Sequence, residues 1–166
     1  MIYVLYIIFG FALVQFLVAL ANLLFQEKLS GKGLPQTGEE RNDVSVLIPV
    51  RNEEKNIGSL LGDLLQAGDN FREIIVFDDE STDRTAEVVS TIASADSRIR
   101  LLTSTGLPEG WLGKNYACHR LGLEAQGEFF LFLDADVRIS KGLIDKTVSY
   151  AKKKELDLLS IFPTQE

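Results

Sequence analysis

EFFLFLDAD, residues 128–136, is the stretch of sequence that decides the fold. Five consecutive apolar residues, 129–133, run directly into Asp134, Ala135 and Asp136. A short continuous apolar run of this kind predicts a strand that is buried on both faces. Residues two apart on a strand point the same way, so the two carboxylates should converge at the carboxyl end of the strand. Converging carboxylates repel each other unless a cation lies between them.

This pair of carboxylates has two interpretations. Carboxylate oxygens suit Mg²⁺ or Mn²⁺, and ligands of open α/β sheets bind beyond the carboxyl ends of the strands. The stretch therefore predicts a metal-assisted site for a phosphorylated ligand. The alternative is an acidic turn after a core strand, in which Asp134 and Asp136 cap backbone amides. The stretch alone does not separate the two.

Composition limits the classes of protein that the chain can belong to. Its 166 residues and net charge of -7 allow one domain of ordinary size plus an appendage, and argue against a nucleic-acid partner bound by a basic surface. A single cysteine, Cys118, excludes an internal disulfide framework and a multi-cysteine zinc site. A single histidine, His119, excludes a two-histidine metal site. We interpret Cys118 as an inert core thiol and His119 as a solvated helix residue.

The N-terminal segment predicts a membrane anchor. Residues 2–25 carry no charge, and as a helix they would extend ~36 Å, enough to cross a bilayer core of ~30 Å. A secretory signal fits less well because no Lys or Arg precedes the apolar run, and a buried soluble helix is the other alternative. The predicted organisation is a transmembrane anchor over 1–26, a linker over 27–43 and an α/β domain over 44–166.

Positive charges near the anchor predict its orientation. Lys28, Lys32 and Arg41 all follow the apolar segment. Positively charged loops stay in the cytoplasm, so a single-pass anchor in the cell membrane would leave the following domain on the cytoplasmic side.

Strand and helix patterns alternate from residue 44 onward, which predicts an α/β fold with a mostly parallel sheet and helices on both faces. Asn52 is the predicted N-cap of the first of these helices. Its apolar positions follow the spacing of a helix packed on a sheet: Ile57, Leu60, Leu61, Leu64 and Leu65. The predicted strands are 44–50, 73–77, 99–102, 129–133 and 157–162, and later helices include 114–126 and about 141–153.

Three predicted strands end in polar residues: at 49–53, at 78–83 and at 134–136. Parallel strands bring all three ends to one edge of the sheet. Each end alone is explained by a helix cap, a capped turn or an acidic turn, but together they favour a shared site. Neither G-x-G-x-x-G nor G-x-x-x-x-G-K-[ST] is present, which disfavours a dinucleotide dehydrogenase and a P-loop NTPase. What remains is a nucleotide site read by carboxylates and bridged by a cation.

Four segments in order resemble a known family: VSVLIPVRNEEKNIGSLL (44–61), IIVFDDESTDRT (74–85), PEGWLGKNYACHRLG (108–122) and FLFLDADV (130–137). Together they resemble the inverting glycosyltransferases of family 2, which have the GT-A fold. The third segment resembles a membrane-anchored subgroup associated with carotenoid or hopanoid glycosylation. The resemblance implies transfer of a sugar from a nucleoside-diphosphate sugar to an acceptor hydroxyl, with Mg²⁺ or Mn²⁺ as cofactor. A lipid acceptor is compatible with the anchor.

The resemblance also implies residue roles on the nucleotide side. Pro49, Arg51, Asn52 and Glu53 would line the pocket for the base and ribose. Asp78 and Asp79 match the family's acidic pair after the second strand, of which one contacts the base; the sequence does not say which.

On the metal side, Asp134 and Asp136 match the family's D-x-D. Asp136 would be the closer metal ligand, and Asp134 would lie nearer the ribose or the sugar. Lys114 matches a lysine of the subgroup that could meet the diphosphate as a point charge, although a solvated lysine at a helix start is equally compatible. Trp111 could stack on a sugar or acceptor, or anchor its loop in the core.

The acceptor hydroxyl needs a carboxylate general base, which in the family lies beyond the D-x-D. No residue here matches it, and the Q-x-x-R-W of processive members is absent. The resemblance therefore implies the N-terminal part of a longer protein. Two alternatives stay open. A nucleotidyltransferase would carry a Gly-rich basic loop after the first strand, where this chain has Arg51-Asn52-Glu53-Glu54. A catalytically silent membrane scaffold would retain the fold alone.

Overall fold

The computed structural model describes residues 2–24, 43–67 and 71–161. These residues fall into two compact units, Met1–Lys32 and Gly33–Glu166. The N-terminal unit holds helix α1, whose described side chains are all exposed and which is long and apolar enough to cross a membrane. The predicted linker lies outside the described residues, apart from its last residue. The helices and strands are α1 (Ile2–Leu24), β1 (Val44–Val50), α2 (Ile57–Gln66), β2 (Glu73–Asp78), α3 (Thr85–Ala93), β3 (Ile99–Thr103), α4 (Gly113–Glu124), β4 (Phe129–Phe132) and α5 (Leu143–Lys154).

The second unit is built on a four-stranded sheet in the order β3-β2-β1-β4, and every pairing is parallel. The chain runs outward from β1 through β2 to β3, then returns to place β4 on the other side of β1. This reversal makes the space between β1 and β4 the topological switch point of the sheet. The predicted α/β fold with a parallel sheet and flanking helices is confirmed.

Side chains of β1 alternate between the two faces of the sheet, as the strand period requires. Val46 and Ile48 enter a large apolar core that α2, α3 and α5 cover, whereas Leu47 enters a smaller core under α4. All three are fully buried. β1 is therefore the buried centre of the domain, and its carboxyl end has a fixed position.

The prediction that β4 is buried on both faces is wrong. Phe129 and Leu131 pack against the large core, but Phe130 and Phe132 on the opposite face are 48% and 46% exposed. β4 is an edge strand among the described residues, and the small apolar core under α4 draws on β1, β2 and β3 but not on β4. An apolar run indicates that a strand can be buried, but the neighbouring elements decide whether it is.

Two other local predictions are also wrong. Residues 157–161 form no strand, and Phe162 lies outside the described residues. Asn52 does not cap α2, which begins at Ile57 after a turn at 54–56. The Asn52 side chain has a different partner, described below.

Candidate functional site

The three polar strand ends line one cleft, as the sequence predicts. The cleft has a volume of about 490 Å³ and opens at the carboxyl ends of β1 and β4, at the switch point of the sheet. Asp79 and Asp136, which come from different loops, lie on the same lining. The residues that line the cleft are Pro49, Val50, Arg51, Glu53, Asp79, Gly113, Lys114, Ala117, Asp134, Ala135 and Asp136.

Asn52 joins the loops that follow β1 and β2. Its backbone has a φ of 58°, a left-handed conformation that asparagine tolerates better than most residues. Its side-chain Oδ1 accepts hydrogen bonds from the Thr82 backbone N–H at 2.8 Å and the Thr82 hydroxyl at 3.2 Å, and its own N–H donates to Ser81 Oγ at 2.9 Å. Asn52 is outside the cleft lining, and its contacts hold the two loops together.

Glu53 lines the cleft and is fixed at both its backbone and its side chain. Its N–H donates to Thr85 Oγ1 at 2.8 Å, and its carboxylate accepts from Asn56 Nδ2 at 2.8 Å. Thr85 is fully buried and is the first residue of α3, so this hydrogen bond connects the loop after β1 to the start of that helix.

The two aspartates that follow β2, Asp78 and Asp79, have different surroundings. Asp78 is buried, and its Oδ1 accepts a hydrogen bond from the Ser81 N–H at 3.1 Å, so its side chain closes the turn. Asp79 is the member of the pair that lines the cleft, where Arg51 NH1 lies 3.5 Å from its Oδ2. The geometry thus separates two residues that the sequence leaves equivalent.

Gly113, the first residue of α4, lies against the Asp79 carboxylate. A Cβ placed on Gly113 would lie 2.7 Å from Asp79 Oδ2, so a larger residue there would require the Asp79 carboxylate to move. Sequence reasoning missed Gly113 because its requirement depends on the position of a residue 34 places earlier. Its position directly before Lys114 in the quoted segment 108–122 is the signal that was available.

Lys114 bridges the third loop to α4. Its Nζ donates to Asp134 Oδ1 at 2.7 Å, and this hydrogen bond is the main reason that the pKa of Lys114 is raised. Both side chains are more than half exposed, so the pair contributes little to folding and a ligand can exchange with it. Because its pKa is raised, Lys114 is fully charged at neutral pH, and it lies beside Asp134 and Asp136.

The donor set fits a metal that arrives with a phosphorylated ligand. Among residues 2–24, 43–67 and 71–161, no group of three or more His, Cys, Asp or Glu side chains is placed to hold an ion. Asp134 and Asp136 supply two exposed carboxylates on the cleft lining. Mg²⁺ commonly binds through one or two carboxylates together with phosphate oxygens and water, and this pair matches that pattern.

The remaining polar candidates lie outside the cleft lining. Cys118 is half-buried and belongs to neither apolar core, so its predicted core position is wrong; burial nevertheless raises the pKa of its thiol, which supports its interpretation as inert. Trp111 stacks on exposed His119 with ring centroids 4.9 Å apart, and its edge meets Tyr116 at 5.6 Å. These contacts anchor the loop before α4 to the helix itself.

An open parallel sheet with a charged cleft at its switch point defines the class of α/β domains that bind ligands beyond their strand ends. Within that class, residues 45–163 match the family described as Glycosyl transferase family 2. The chain belongs to glycosyl transferase family 2. The resemblance stated from the motifs is confirmed, and the family match contradicts the nucleotidyltransferase alternative.

Individual relatives agree with this assignment. The 4,4'-diaponeurosporenoate glycosyltransferase of Staphylococcus haemolyticus is 35% identical over 128 residues, which cover 76% of this chain and 33% of the relative. The mannosyltransferase PcManGT from Pyrobaculum calidifontis, solved with GDP-Man and Mn²⁺, superposes with a TM-score of 0.59 and 25% identity over 68% of this chain and 33% of its own. S. aureus TarS 1-349 in complex with UDP gives a TM-score of 0.54 and 28% identity over 68% of this chain and 32% of its own.

These proteins support the GT-A type of sheet expected from the motifs. The chain spans about a third of the length of the relatives it matches.

Proposed function

We propose that the chain forms the donor-binding part of a glycosyltransferase that uses a nucleoside-diphosphate sugar and a divalent metal. The single observation that carries this proposal is the cleft in which Arg51, Asp79, Lys114, Asp134 and Asp136 come together at the switch point of the sheet. The Mn²⁺ in the PcManGT complex and the UDP in the TarS complex support the choice of ligand class.

The nucleoside end is assigned to the β1 and β2 side of the cleft. Pro49, Arg51 and Glu53 form the wall beside Asp79, whose side chain is 10% exposed and lies against Gly113. A buried carboxylate can accept hydrogen bonds from a base or ribose with little loss of side-chain entropy. Asn52 and Asp78, which the family resemblance also assigned to the nucleotide, act through the loops that they hold together.

The diphosphate end is assigned to the β4 and α4 side. Lys114 Nζ, now 2.7 Å from Asp134, supplies a cation for the phosphates, and Asp134 and Asp136 would hold Mg²⁺ or Mn²⁺. When bound, the metal supplies Lewis-acid stabilisation of the charge that develops on the leaving nucleoside diphosphate. Asp136 is the closer ligand in this assignment, because the Asp134 carboxylate already has Lys114 as a partner.

The acceptor in this proposal is a lipid. The S. haemolyticus relative is named for diaponeurosporenoate, and helix α1 could hold the domain beside a bilayer. We propose a single-pass anchor over residues 1–26, a linker over 27–43 and a domain from residue 44 onward on the cytoplasmic side of the cell membrane. Deleting residues 1–25 should release the chain from isolated membranes, and sedimentation of the deleted chain with membranes would contradict the anchor.

Titration with UDP and GDP, each with and without Mn²⁺, tests the donor site by calorimetry on the full chain. One of the two nucleotides should bind, and Mn²⁺ should raise the affinity of the chain for that nucleotide. Asp136→Ala should abolish the gain from Mn²⁺ and leave metal-free binding intact. Asp79→Ala should weaken nucleotide binding even without Mn²⁺.

Asp157→Ala is the matched control, because Asp157 is an exposed carboxylate outside the cleft lining and should change neither affinity. Binding that is independent of metal in the unsubstituted chain would contradict the metal role. No binding at all would favour the silent membrane scaffold.

A further inference from the structure

The segment after β4, residues 133–139, contains a turn at 135–136, and its side chains alternate between packing on the core and exposure. Leu133, Val137 and Ile139 pack against the large core, and Ala135 is buried between them. The intervening residues Asp134, Asp136 and Arg138 are exposed, and Asp134 and Arg138 bind side chains of two different helices, Lys114 of α4 and Asp63 of α2.

The two carboxylates are restrained to different extents. Asp134 follows Leu133, whose N–H donates to the Leu47 carbonyl of β1 at 3.0 Å, and its own side chain binds Lys114. Asp136 lies in the turn at 135–136, and its charge contributes, after that of Asp134, to raising the pKa of Lys114. The position of Asp136 therefore depends on how the backbone is held by the residues that follow it.

Arg138 supplies that restraint two residues later. Its Nε donates to Asp63 Oδ2 at 2.6 Å and its NH2 donates to Asp63 Oδ1 at 2.7 Å, a two-bonded geometry that lysine cannot reproduce. The Ile139 N–H donates to the same carboxylate at 3.4 Å. Asp63 lies on α2, and its neighbours Leu61 and Leu64 are fully buried, so the segment is fastened to a rigid helix.

We propose that Asp63 and Arg138 are positioning residues that hold the 133–139 segment so that the Asp136 carboxylate faces the cleft. Neither residue lines the cleft, so both act through Asp136. This inference rests on the proposed function, in which Asp136 is a metal ligand. Groups that hydrogen-bond directly to a metal ligand commonly affect metal affinity by about 10- to 100-fold, and Asp63 and Arg138 act through the backbone of the ligand segment, so the lower end of that range is expected.

The test compares Asp63→Asn and Arg138→Lys with the unsubstituted full chain. Mn²⁺ affinity in the presence of UDP or GDP, whichever binds, is measured by calorimetry and by the electron paramagnetic resonance signal of free Mn²⁺. Each substitution should lower Mn²⁺ affinity about tenfold. Metal-free nucleotide affinity should stay unchanged, because the nucleoside contacts belong to the other side of the cleft. The double variant should lose no more Mn²⁺ affinity than either single variant, because both substitutions remove the same Asp63–Arg138 pair.

A second measurement examines the segment without any ligand. Hydrogen exchange followed by mass spectrometry should show faster exchange over 133–139 in Asp63→Asn, with α2 and the sheet unchanged. This measurement also shows whether the variant is folded.

Arg98→Lys is the matched control. Arg98 makes the same kind of two-bonded pair with Asp96, at 3.0 and 2.7 Å, on the turn before β3 and outside the cleft lining. This variant should leave Mn²⁺ affinity and the exchange of 133–139 unchanged.

The outcomes separate this inference from the proposed function. No metal-dependent binding in the unsubstituted chain overturns the proposed function and this inference with it. Metal-dependent binding that both variants retain at full strength overturns the positioning role alone. The positioning role is also overturned if exchange over 133–139 is unchanged in Asp63→Asn, or if metal-free nucleotide affinity falls in parallel with Mn²⁺ affinity.

Discussion

The two ends of the sheet both carry carboxylates paired with cations, but the pairs are built differently. At the amino end, the Glu73 carboxylate is almost buried and accepts hydrogen bonds from Ser45 Oγ at 2.7 Å, the Gln126 N–H at 2.8 Å and Arg100 NH2 at 3.0 Å. Arg100 donates further to the Glu124 carbonyl at 2.9 Å. This amino-end network joins β1, β2, β3 and the turn before β4.

At the carboxyl end, the carboxylates have spare acceptor capacity. Asp134 is 56% exposed with Lys114 as its charged partner, and Asp79 has Arg51 at the longer distance of 3.5 Å. Glu73 and Asp79 are equally buried, but the Glu73 carboxylate accepts three hydrogen bonds, whereas Asp79 faces the Arg51 guanidinium at 3.5 Å and has oxygens left for a ligand. The number and closeness of hydrogen-bonding partners, rather than burial or residue type, therefore distinguish structural acids from candidate ligand-binding acids in this comparison.

Glu73→Ala is the strongest test of this comparison and is expected to have the largest effect on stability. The substitution leaves the Arg100 guanidinium, the Ser45 hydroxyl and the Gln126 N–H without their shared acceptor. Breaking a largely buried ion pair from one side costs about 3 kcal/mol of unfolding free energy. Urea unfolding of the full chain in mild detergent measures this loss of unfolding free energy. A cost as small as that of a surface pair would mean that the amino-end network is not structural.

Gly127→Ala tests the same end by steric means. A Cβ at Gly127 would lie 2.6 Å from the Ser45 nitrogen and 2.7 Å from the Asp43 carbonyl oxygen, both backbone atoms that cannot rotate away. Overpacking of this kind should cost about 2 kcal/mol in the same unfolding assay. Gly62→Ala is the control, because the nearest atom to its added Cβ is 3.9 Å away on a side chain.

Asp134→Ala probes the carboxyl end and should give the opposite pattern. Its exposed pair with Lys114 contributes less than about 1 kcal/mol, so urea unfolding should hardly change. The tightening of UDP or GDP binding by Mn²⁺ should nevertheless weaken in the calorimetric titration. A large loss of stability with metal dependence intact would reverse the roles assigned to the two ends.

The smallest expected effect is a pH dependence at the amino end. Burial alone would raise the pKa of Glu73, but hydrogen bonds from Ser45, Gln126 and Arg100 outweigh it and the pKa is lowered from its ordinary value of 4.5. A lowered folded-state pKa stabilises the fold fully above the unfolded value, and this contribution is lost as pH falls through the folded value. The difference in urea midpoint between the unsubstituted chain and Glu73→Gln should therefore shrink below pH 4.5. A difference that is constant with pH would show that Glu73 acts without its charge.

The sequence predicts the fold and the meeting of the three loops for a simple physical reason. Apolar runs alternate with helical patterns, and parallel strands must bring their carboxyl ends to one edge. The sequence alone therefore predicts that Asp79 and Asp136 share a cleft, and their roles as ligands are part of the proposed function.

Features that depend on three-dimensional neighbours could not be predicted in the same way. Asn52 has the chemistry of a helix cap, but the same side chain can join two loops, and only the position of Thr82 decides between them. Glu73 is an ordinary residue at the start of a strand until Ser45 and Arg100 are brought beside it. The exposed face of β4 likewise follows from which elements cover it.

The packing of Trp111 on α4 has a practical consequence. It is the only tryptophan of the chain, so all indole emission comes from the loop directly before Gly113 and Lys114. A ligand that moves the start of α4 should alter the contact of this ring with His119 and so its quantum yield. The protein thus carries its own optical reporter beside the cleft, and occupancy can be followed without attaching a dye.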